Sequence, residues 1–236
     1  MIKNMKKIGI IGAMDEEVNQ IKVVMTDVKI KKKAGMDFYE GSLYGKYIIV
    51  VRSGIGKVNA SICTQILIDE YEVEGVINTG IAGSLKNEIN IGDIVLSTDV
   101  LYHDMDATNF GYEYGVIPRM DSSIFVADPY LLEKAKEASK KVNEEIGIFT
   151  GRVVSGDQFV ADKVKKQWIE SKFHGYCTEM EGAAIGHTAY LNQVPFLIIR
   201  AISDKADDSA HVDYDVFEAK AIEHTVKLMQ ELIKNI

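Results

Sequence analysis

Three acidic residues and one arginine lie close together in the C-terminal part of the sequence. Glu179 and Glu181 flank a methionine, and Arg200, Ser203 and Asp204 follow after a predicted helix and an apolar strand. A charged side chain at the end of a buried strand must be paired with an opposite charge or serve a function, because burial of an unpaired charge is costly. Carboxylates there can accept the adjacent hydroxyls of a ribose or transfer a proton. Arg200 and Asp204 share the side-chain parity of their strand, so we expect both on one face.

The two glutamates of this segment cannot both face one ligand. If the helix has begun by Glu179, its side chain and that of Glu181 point about 200° apart. The small residues at 182–184 allow the helix to pack closely. We choose Glu181 as the ligand contact and Glu179 as a helix cap or ion-pair partner. Plainer alternatives stay open: solvated carboxylates at a helix start, a structural ion pair of Arg200, and a turn capped by Asp204.

A second cluster of carboxylates, Asp15, Glu16 and Glu17, opens a predicted helix near the N-terminus. The helix dipole favours acidic side chains there, which explains Asp15 and Glu16 as capping residues. Glu17 lies one turn into the helix and can point back toward the strand ends. A phosphate at this helix start would face carboxylates instead of lysine or arginine, so the cluster disfavours a phosphate site.

Short apolar runs alternate with helical patterns along the chain. Predicted strands cover residues 7–11, 47–51, 73–78, 94–97, 149–154 and 196–202, and predicted helices cover 16–25, 57–70, 129–145, 162–171, 181–192 and 215–234. Several strands are apolar on both faces, which is typical of a parallel sheet covered by helices. An antiparallel hairpin of 38–43 and 47–52 makes the sheet mixed. The predicted fold class is therefore α/β, with three layers (α/β/α) around a central mixed sheet.

Glycine-bearing turns follow three of the predicted strands, at 9–12, 54–56 and 79–83. Ligands of open α/β sheets bind at the carboxyl ends of the strands, where glycine lets the backbone approach them closely. The turns match neither the G-x-G-x-x-G dinucleotide motif nor a Walker A loop. A single turn of this kind could be an ordinary tight connection, but three of them favour a ligand site.

Composition limits the partners of the chain. Its 236 residues are 47% hydrophobic with a net charge of −8, and we expect one globular domain over 1–236. An acidic surface repels nucleic acids and anionic membranes, so a small-molecule partner is expected. Residues 1–14 imitate a signal peptide only superficially, and no apolar run approaches the ~20 residues of a membrane span. Cys63 and Cys177 are too few and too distant for a disulfide framework, which suits the reducing cytoplasm.

One long irregular segment is predicted at 103–128, and it carries Phe110 and Pro118. Loops of this length in a compact domain are usually functional, and this one is apolar enough to cover a pocket or a partner subunit. His103 and its acidic neighbours imitate a metal site. A hydrogen-bonded loop is the preferred interpretation, so we expect no metal there.

Eight short motifs follow one another along the chain: G-I-I-G-A-M-D-E-E at 9–17, S-G-I-G-K-V-N-A at 53–60, N-T-G-I-A-G at 78–83, Y-H-D-M-D at 102–106, F-G-Y-E-Y-G at 110–115, V-S-G-D-Q-F at 154–159, E-M-E-G at 179–182 and R-A-I-S-D at 200–204. In this order they closely resemble the motifs of the bacterial 5'-methylthioadenosine/S-adenosylhomocysteine nucleosidases. The match runs essentially end to end. It implies the nucleoside phosphorylase-like fold, a homodimer, no cofactor, and irreversible hydrolysis of 5'-thioadenosines to adenine and a thioribose.

The resemblance also implies roles for individual residues. Asp204 resembles the general acid at adenine N7, and Glu17 resembles the group that activates water. Further candidate substrate contacts are Gly83, Phe159 and Val160 near the base, Met180, Glu181 and Arg200 near the ribose and water, Ser203, and an apolar pocket of Met14, Ile55 and Phe217 with Phe110 and Pro118 from the partner subunit. Two residues depart from the family pattern: Ile81 replaces a small hydroxyl residue of many relatives, and Tyr214 replaces an aromatic without the hydroxyl.

The chemistry of glycoside cleavage fits two such carboxylates. One group must protonate the leaving base while another delivers water to an oxocarbenium-like sugar. At a reference pKa of about 3.9, Asp204 would be protonated in roughly one molecule in a thousand at pH 7. A rise of about 3 units costs about 4 kcal/mol, which burial can impose. We therefore expect a raised pKa for Asp204 and an ionised Glu17.

Other functions compete with this interpretation. A purine nucleoside phosphorylase shares the fold, and an AMP nucleosidase is another hydrolase, but both need cations to hold phosphate, and the carboxylates of 15–17 argue against that. A futalosine hydrolase would use similar chemistry near the base. A non-catalytic adenosine-binding module is disfavoured by the two candidate catalytic carboxylates, Glu17 and Asp204.

Overall fold

The computed structural model describes residues 5–142, 144–208 and 210–236, with the backbone alone for 211–216. Strands and helices alternate along this part of the chain. In chain order they are β1 (Lys7–Gly12), α1 (Asp15–Val23), β2 (Thr26–Lys33), β3 (Met36–Leu43), β4 (Lys46–Arg52), α2 (Lys57–Tyr71), β5 (Gly75–Ser84), β6 (Ile94–Tyr102), β7 (Phe125–Val126), α3 (Pro129–Val142), β8 (Ile148–Ser155), α4 (Lys163–Phe173), β9 (Cys177–Glu179), α5 (Gly182–Leu191), β10 (Phe196–Asp204) and α6 (Ala210–Asn235). A short 3-10 helix, Thr108–Phe110, lies between β6 and β7.

The strands form one mixed sheet of ten. β1 lies inside it, parallel to β4 on one side and to β5 on the other. β3 and β2 extend the β4 side in antiparallel fashion. On the β5 side the sheet closes on itself, because β10 pairs with both β5 and β6 while β8 and β9 complete the ring. The predicted α/β class with a mixed sheet is confirmed.

Helices pack on the sheet in two groups. α6 contacts α1, α3 and strands β5 and β10, whereas α2 contacts α5. Every residue of β5 and of β10 is buried, which agrees with the continuous apolar runs that predicted both strands. In the described part of the chain, the helices are either too short or too polar to cross a bilayer.

β5 extends beyond its predicted end. The segment 79–83, predicted as a glycine turn, belongs to this strand, because Gly80 pairs with Arg200 of β10 and Gly83 pairs with Thr178 of β9. The backbone groups of these glycines thus find partners on neighbouring strands, which outweighs the low strand propensity of glycine. The strand therefore carries its backbone directly into the region where the carboxylates meet.

β10 also continues past its predicted end, to Asp204, and it contains a bulge. Its register against β5 shifts between Ile202 and Asp204, so that Asp204 lies opposite Gly83. A bulge inserts one extra residue and reverses the side-chain alternation beyond it. The expectation that Arg200 and Asp204 share one face is therefore wrong: Arg200 lies beside Gly80 and Asp204 beside Gly83, and these glycines have opposite parity in β5.

Three strands, β2, β7 and β9, are missing from the sequence prediction. β2 is an edge strand whose eight residues are all exposed, so it has no buried face to produce an alternating pattern. Its lysines are typical of edges that must not pair with other chains. β9 has only three residues, too few for a periodic signal. The segment 103–128 is irregular as predicted, apart from the short 3-10 helix and β7.

Candidate active site

A cavity of about 390 Å³ opens at the carboxyl ends of several strands. Its walls come from residues at or just beyond the ends of β1, β4, β5, β8, β9 and β10. They are Ala13, Met14, Glu17, Ile55, Ile81, Ala82, Gly83, Gln158, Phe159, Val160, Thr178, Glu179, Met180, Glu181, Ser203 and Asp204. Every candidate residue named from the sequence lies on this wall except Arg200, Phe110, Pro118 and Phe217.

Glu17 is buried at the third position of α1 and turns back toward the strand ends, as predicted. Its Oε2 accepts hydrogen bonds from the amides of Ala13 at 2.6 Å and Met14 at 3.0 Å. Its Oε1 accepts one from the amide of Ile81 on β5 at 3.3 Å. Three backbone donors from two strand ends therefore fix the position of this carboxylate.

The ionisation of Glu17 is a balance of opposing effects. Burial is the largest and raises its pKa, whereas the Arg200 guanidinium and the backbone amides lower it. A carboxylate without such partners in this position would be protonated more readily. Burial outweighs these partners, so the pKa of Glu17 is raised overall, and the ionised Glu17 expected from the sequence stays a prediction.

Gly80 makes room for both charged groups, a role that the sequence reasoning missed. A Cβ atom at this position would lie 2.5 Å from Oε1 of Glu17 and 2.7 Å from Nη1 of Arg200. Any side chain larger than hydrogen would therefore displace one of the two. The only sequence signal was the glycine-bearing motif at 78–83, which does not show which side chains approach the glycine.

Arg200 lies behind the cavity wall and joins the carboxylates of the C-terminal segment. Its Nη2 forms an ion pair with Glu179, lies 3.8 Å from Oε2 of Glu181, and donates to Oδ1 of Asn78 at 2.5 Å. Glu179 also accepts from the amides of Glu181 at 3.1 Å and Gly182 at 2.7 Å. Glu179 is thus both a helix cap and an ion-pair partner, which confirms that prediction. It belongs to β9, before the helix begins, and it lines the cavity together with Glu181, so the expectation that the two glutamates cannot both face one site is wrong.

Glu181 links the start of α5 to the loop after β4. Its Oε1 accepts a hydrogen bond from the amide of Gly56 at 2.8 Å, on the loop after β4. Burial raises the pKa of Glu181, the neighbouring Glu179 carboxylate raises it further, and Arg200 opposes both. A hydroxyl donor on a ligand would stabilise the charged form of such a group.

Asp204 stands at the end of β10, beyond the bulge that separates it from Arg200. Its Oδ1 accepts from the amide of Ala206 at 2.7 Å, and its Oδ2 accepts from the Ser203 hydroxyl at 2.8 Å. A Cβ atom at Gly83 would lie 2.7 Å from Oδ1 of Asp204, so this glycine provides the space for the carboxylate. Glu17 and Asp204, far apart in sequence, therefore line one cavity.

A clamp outside the cavity holds the loop that carries Phe159. Oδ2 of Asp104 accepts from Nζ of Lys57 at 2.6 Å and from the amide of Asp157 at 3.0 Å. Oδ1 of Asp157 accepts in turn from the amide of Lys57 at 2.9 Å. Phe159, two residues beyond this clamp, is half exposed at the cavity, whereas Val160 is buried. The sequence reasoning missed Lys57 and Asp157 as supports of this loop.

Comparison with known proteins shows which family this cavity belongs to. A family model described as the phosphorylase superfamily matches residues 7–234. A 5'-methylthioadenosine/S-adenosylhomocysteine nucleosidase of Bacillus cytotoxicus is 40% identical over 231 residues, which are 98% of this chain and 99% of the relative. The chain belongs to the 5'-methylthioadenosine/S-adenosylhomocysteine nucleosidase family. This is the family that the motifs predicted.

Solved structures of nucleosidases of this family agree with the fold. The crystal structure of the Neisseria meningitidis enzyme in complex with methylthio-immucillin-A matches with a TM-score of 0.94 at 38% identity, covering 98% of this chain and 100% of that one. The native structure of a futalosine hydrolase of Helicobacter pylori matches with a TM-score of 0.93 at 32% identity, covering 98% of each chain. Because both activities occur on this fold, the substrate must be argued from the cavity.

Three candidate residues lie away from the cavity of this nucleosidase-family chain. Phe110 is 84% exposed on the 3-10 helix, and Pro118 is half-buried in the same irregular segment. Both were expected to serve the partner subunit, so that role stays a prediction. Phe217, expected in the chain's own pocket, borders a separate hollow near Ile91, because it lies two turns into α6. The side chain of Tyr214 lies outside the described residues.

The described residues include no cluster of three or more His, Cys, Asp or Glu side chains arranged to hold a metal ion. His103 is buried, which lowers its pKa to about 4, so its ring is neutral near pH 7. Its neighbour Asp104 is held by Lys57, and Asp106 accepts hydrogen bonds from its own loop. The interpretation of this segment as a hydrogen-bonded loop is confirmed.

Proposed function

We propose that this chain hydrolyses the N-glycosidic bond of 5'-methylthioadenosine and S-adenosylhomocysteine, with Asp204 as the general acid and Glu17 as the group that activates water. One observation carries the proposal: two buried carboxylates from opposite ends of the sequence line one cavity. Loss of adenine leaves an oxocarbenium-like sugar, so the reaction needs one group to protonate the base and another to deliver water.

Asp204 has the surroundings of a proton donor. The Ala206 amide occupies Oδ1, so the proton belongs on Oδ2, beside the Ser203 hydroxyl. A serine hydroxyl can donate to a carboxylate and accept from a carboxylic acid. Ser203 therefore stays hydrogen-bonded in both protonation states, which supports transfer of the proton from Asp204 to a purine nitrogen.

Glu17 retains capacity for a water molecule. A carboxylate offers about four acceptor positions, and backbone amides occupy three of them at Glu17. The remaining position can take a hydrogen bond from water. Arg200 supplies the positive charge that keeps Glu17 able to accept a proton, because it lowers the pKa that burial raises.

Glu181 and the apolar wall fit the rest of a thioadenosine. Glu181 is held at Oε1 by Gly56, and its other oxygen faces Arg200 at 3.8 Å, so ribose hydroxyls can donate to this carboxylate. Met14 and Ile55 line the cavity as well. Apolar side chains favour a thioether substituent over a phosphate at the 5' position.

The charge of the wall argues for water over phosphate as the second substrate. None of the described residues that line the cavity is lysine, arginine or histidine. Arg200 lies behind the wall and is paired with Glu179. A phosphorylase must hold a phosphate dianion, and a wall of acidic side chains without a cation offers it no counter-charge.

The proposed active form is a homodimer in the cytoplasm. Large apolar side chains are exposed on neighbouring elements, namely Val58 on α2, Leu191 on α5 and Val126 on β7, and Phe110 is exposed as well. Such side chains favour burial against a second subunit. The free, buried Cys63 and Cys177 suit a reducing compartment. Sedimentation equilibrium tests the dimer, and a monomer at all concentrations would refute it.

The decisive experiment is release of free base from purified protein. Methylthioadenosine, S-adenosylhomocysteine and futalosine are each supplied with and without phosphate, and the free base is quantified by chromatography. We expect adenine from the two thioadenosines at the same rate with or without phosphate. Phosphate-dependent release would identify a phosphorylase, and release from futalosine alone would identify a futalosine hydrolase.

A further inference from the structure

A buried lysine supports the turn that carries Asp204. Lys166 on α4 is only 6% exposed, although lysine is almost never buried unless its charge is paired. Its Nζ donates a hydrogen bond to the carbonyl of Lys205 at 2.6 Å and lies 3.6 Å from Oδ2 of Asp207. Both partners belong to the turn that follows Asp204 directly.

That turn has an unusual backbone. Ala206 has a φ of 52°, in the left-handed region that residues with a side chain rarely adopt, and it is completely buried. This conformation is unfavourable for a residue with a side chain and persists only where its surroundings hold it. It also directs the Ala206 amide at Oδ1 of Asp204, at 2.7 Å. A turn that relaxed would withdraw this donor from the carboxylate.

The same helix also supports a second part of the cavity wall. α4 begins just after the loop with Phe159 and Val160, and its start is capped by Asp162, which accepts from the amide of Lys165 at 2.7 Å. A small apolar cluster joins α4, this loop and the turn: Leu85, Leu101, Val154, Val160, Ile169, Phe173 and Ala206. α4 thus sets both the loop with Phe159 and the turn with Asp204.

An apolar side chain would complete this cluster with less cost than an ammonium group. Burial of a charge is unfavourable, and replacement of a buried ion pair by well-packed apolar residues is often neutral or stabilising. The ammonium of Lys166 must therefore be explained by the two acceptors that it holds, Lys205 and Asp207. Both determine the path of the backbone beyond Asp204.

We propose that Lys166 is a positioning residue, which fixes the turn 205–207 so that Asp204 presents its proton to the leaving base. The proposal rests on the proposed function, because it takes Asp204 as the general acid. It predicts a specific defect: Lys166 acts on proton transfer to the base and leaves binding of the sugar unaffected.

The test compares Lys166→Met, Lys166→Arg and Lys166→Gln with the control Lys163→Met, an exposed lysine of the same helix. kcat and KM are measured on methylthioadenosine, and kcat is also measured on a 4-nitrophenyl glycoside of 5-methylthioribose, whose leaving group departs without protonation. Lys166→Met should lower kcat on methylthioadenosine at least about tenfold, with KM changed less than about twofold. Its kcat on the nitrophenyl glycoside should equal that of wild type.

Lys166→Arg retains a cationic donor and should recover part of the lost kcat, whereas Lys163→Met should match wild type. Full activity of Lys166→Met would overturn the proposal, and so would equal losses in kcat and in affinity, which indicate a loosened cavity. If Lys166→Met does not fold, the same comparison of kcat and KM with wild type, on both substrates, is made for Lys166→Gln. Asp204→Asn distinguishes a failure of the proposed catalytic role from a failure of the positioning role. If this variant turns over normally, Asp204 is not the general acid, whatever the Lys166 variants show.

Discussion

The two carboxylates of the cavity are held by different kinds of structure. Glu17 is fixed by amides of two strand ends and lies next to a charged network of Arg200, Glu179 and Glu181. Asp204 is held by its own turn, through the Ser203 hydroxyl and one amide. The side proposed to activate water is thus built into the centre of the sheet, whereas the side proposed to donate the proton depends on a local connection.

This difference matches the chemical tasks of the two sides. A base that activates water must stay ionised despite burial, so it needs permanent donors and a nearby cation. A general acid must exchange its proton in every turnover, and a serine hydroxyl suits both of its states. We therefore expect mutations on the Glu17 side to affect both stability and activity, and mutations on the Asp204 side to affect activity almost alone.

The largest expected effect is the loss of catalysis in Asp204→Asn. Asparagine keeps the size of the side chain but cannot donate a carboxylic proton, so kcat on methylthioadenosine should fall by roughly 10² to 10⁴. The free energy of unfolding, measured in urea, should change by less than about 1 kcal/mol. The exposed Asp208→Asn serves as the matched control and should retain wild-type kcat. Near-full turnover of Asp204→Asn would remove Asp204 as the acid.

The next effect concerns stability, in Arg200→Met. Removal of the guanidinium leaves the carboxylates of Glu179 and Glu181 buried without their cation, which should cost about 3–5 kcal/mol of unfolding free energy. Activity should fall too, because the pKa of Glu17 loses its main lowering influence. Urea denaturation compares this variant with Arg152→Met, whose partner Asp99 is partly exposed and whose loss should cost less. Equal losses of unfolding free energy in the two variants would show that the buried network around Arg200 contributes no more to stability than a partly exposed ion pair.

Sequence reasoning reached the fold and most of the cavity because both leave a local signal. The runs at 73–78 and 196–202 are apolar on both faces, and they are the cores of β5 and β10. Glu17 could be chosen from its cluster since its place in the first helical turn lets it point backwards. β2 left no such signal, because a strand with two exposed faces shows no alternation.

The features that escaped prediction are set by contacts between distant segments. The bulge beyond Ile202 depends on pairing with β5, and the burial of Lys166 depends on how α4 meets the turn after Asp204. A sequence read one segment at a time cannot show which glycine faces a charge. For this reason Gly80 and Gly83 could be placed in a ligand-binding turn, while their actual task, making room for Glu17 and Asp204, could not be predicted.

Gly80→Ala should have an intermediate effect on the Glu17 side. The added methyl group would lie against Oε1 of Glu17 and Nη1 of Arg200, so at least one of them must move. A displacement of this size near reacting groups costs roughly 10- to 100-fold in kcat. The control is Gly9→Ala, whose methyl group would meet only the flexible side chain of Leu67. Steady-state kinetics on methylthioadenosine should separate the two variants, and equal kcat values would show that Gly80 has no special role.

The smallest effect tests the departure from the family pattern at Ile81. This side chain lines the cavity, and its amide is hydrogen-bonded to Glu17. Burial raises the pKa of Glu17 above 4.5, so kcat/KM should fall as the pH drops through this raised value. Ile81→Ser admits water near Glu17 and should bring its pKa closer to 4.5. The acid limb of the pH profile should then move to lower pH.

The same shift should appear in the stability of the folded chain, with a defined sign. Because the folded-state pKa of Glu17 is raised, its contribution to stability is complete below about pH 4.5 and is lost as the pH rises through the folded value. Ile81→Ser narrows the pH range between the unfolded-state and folded-state pKa of Glu17. The unfolding free energy of this variant should therefore decline less between pH 4.5 and pH 7 than that of wild type. Ile55→Ser, on the same cavity wall, is the control and should shift neither curve. An acid limb that moved equally in both variants would show that Ile81 does not set the environment of Glu17.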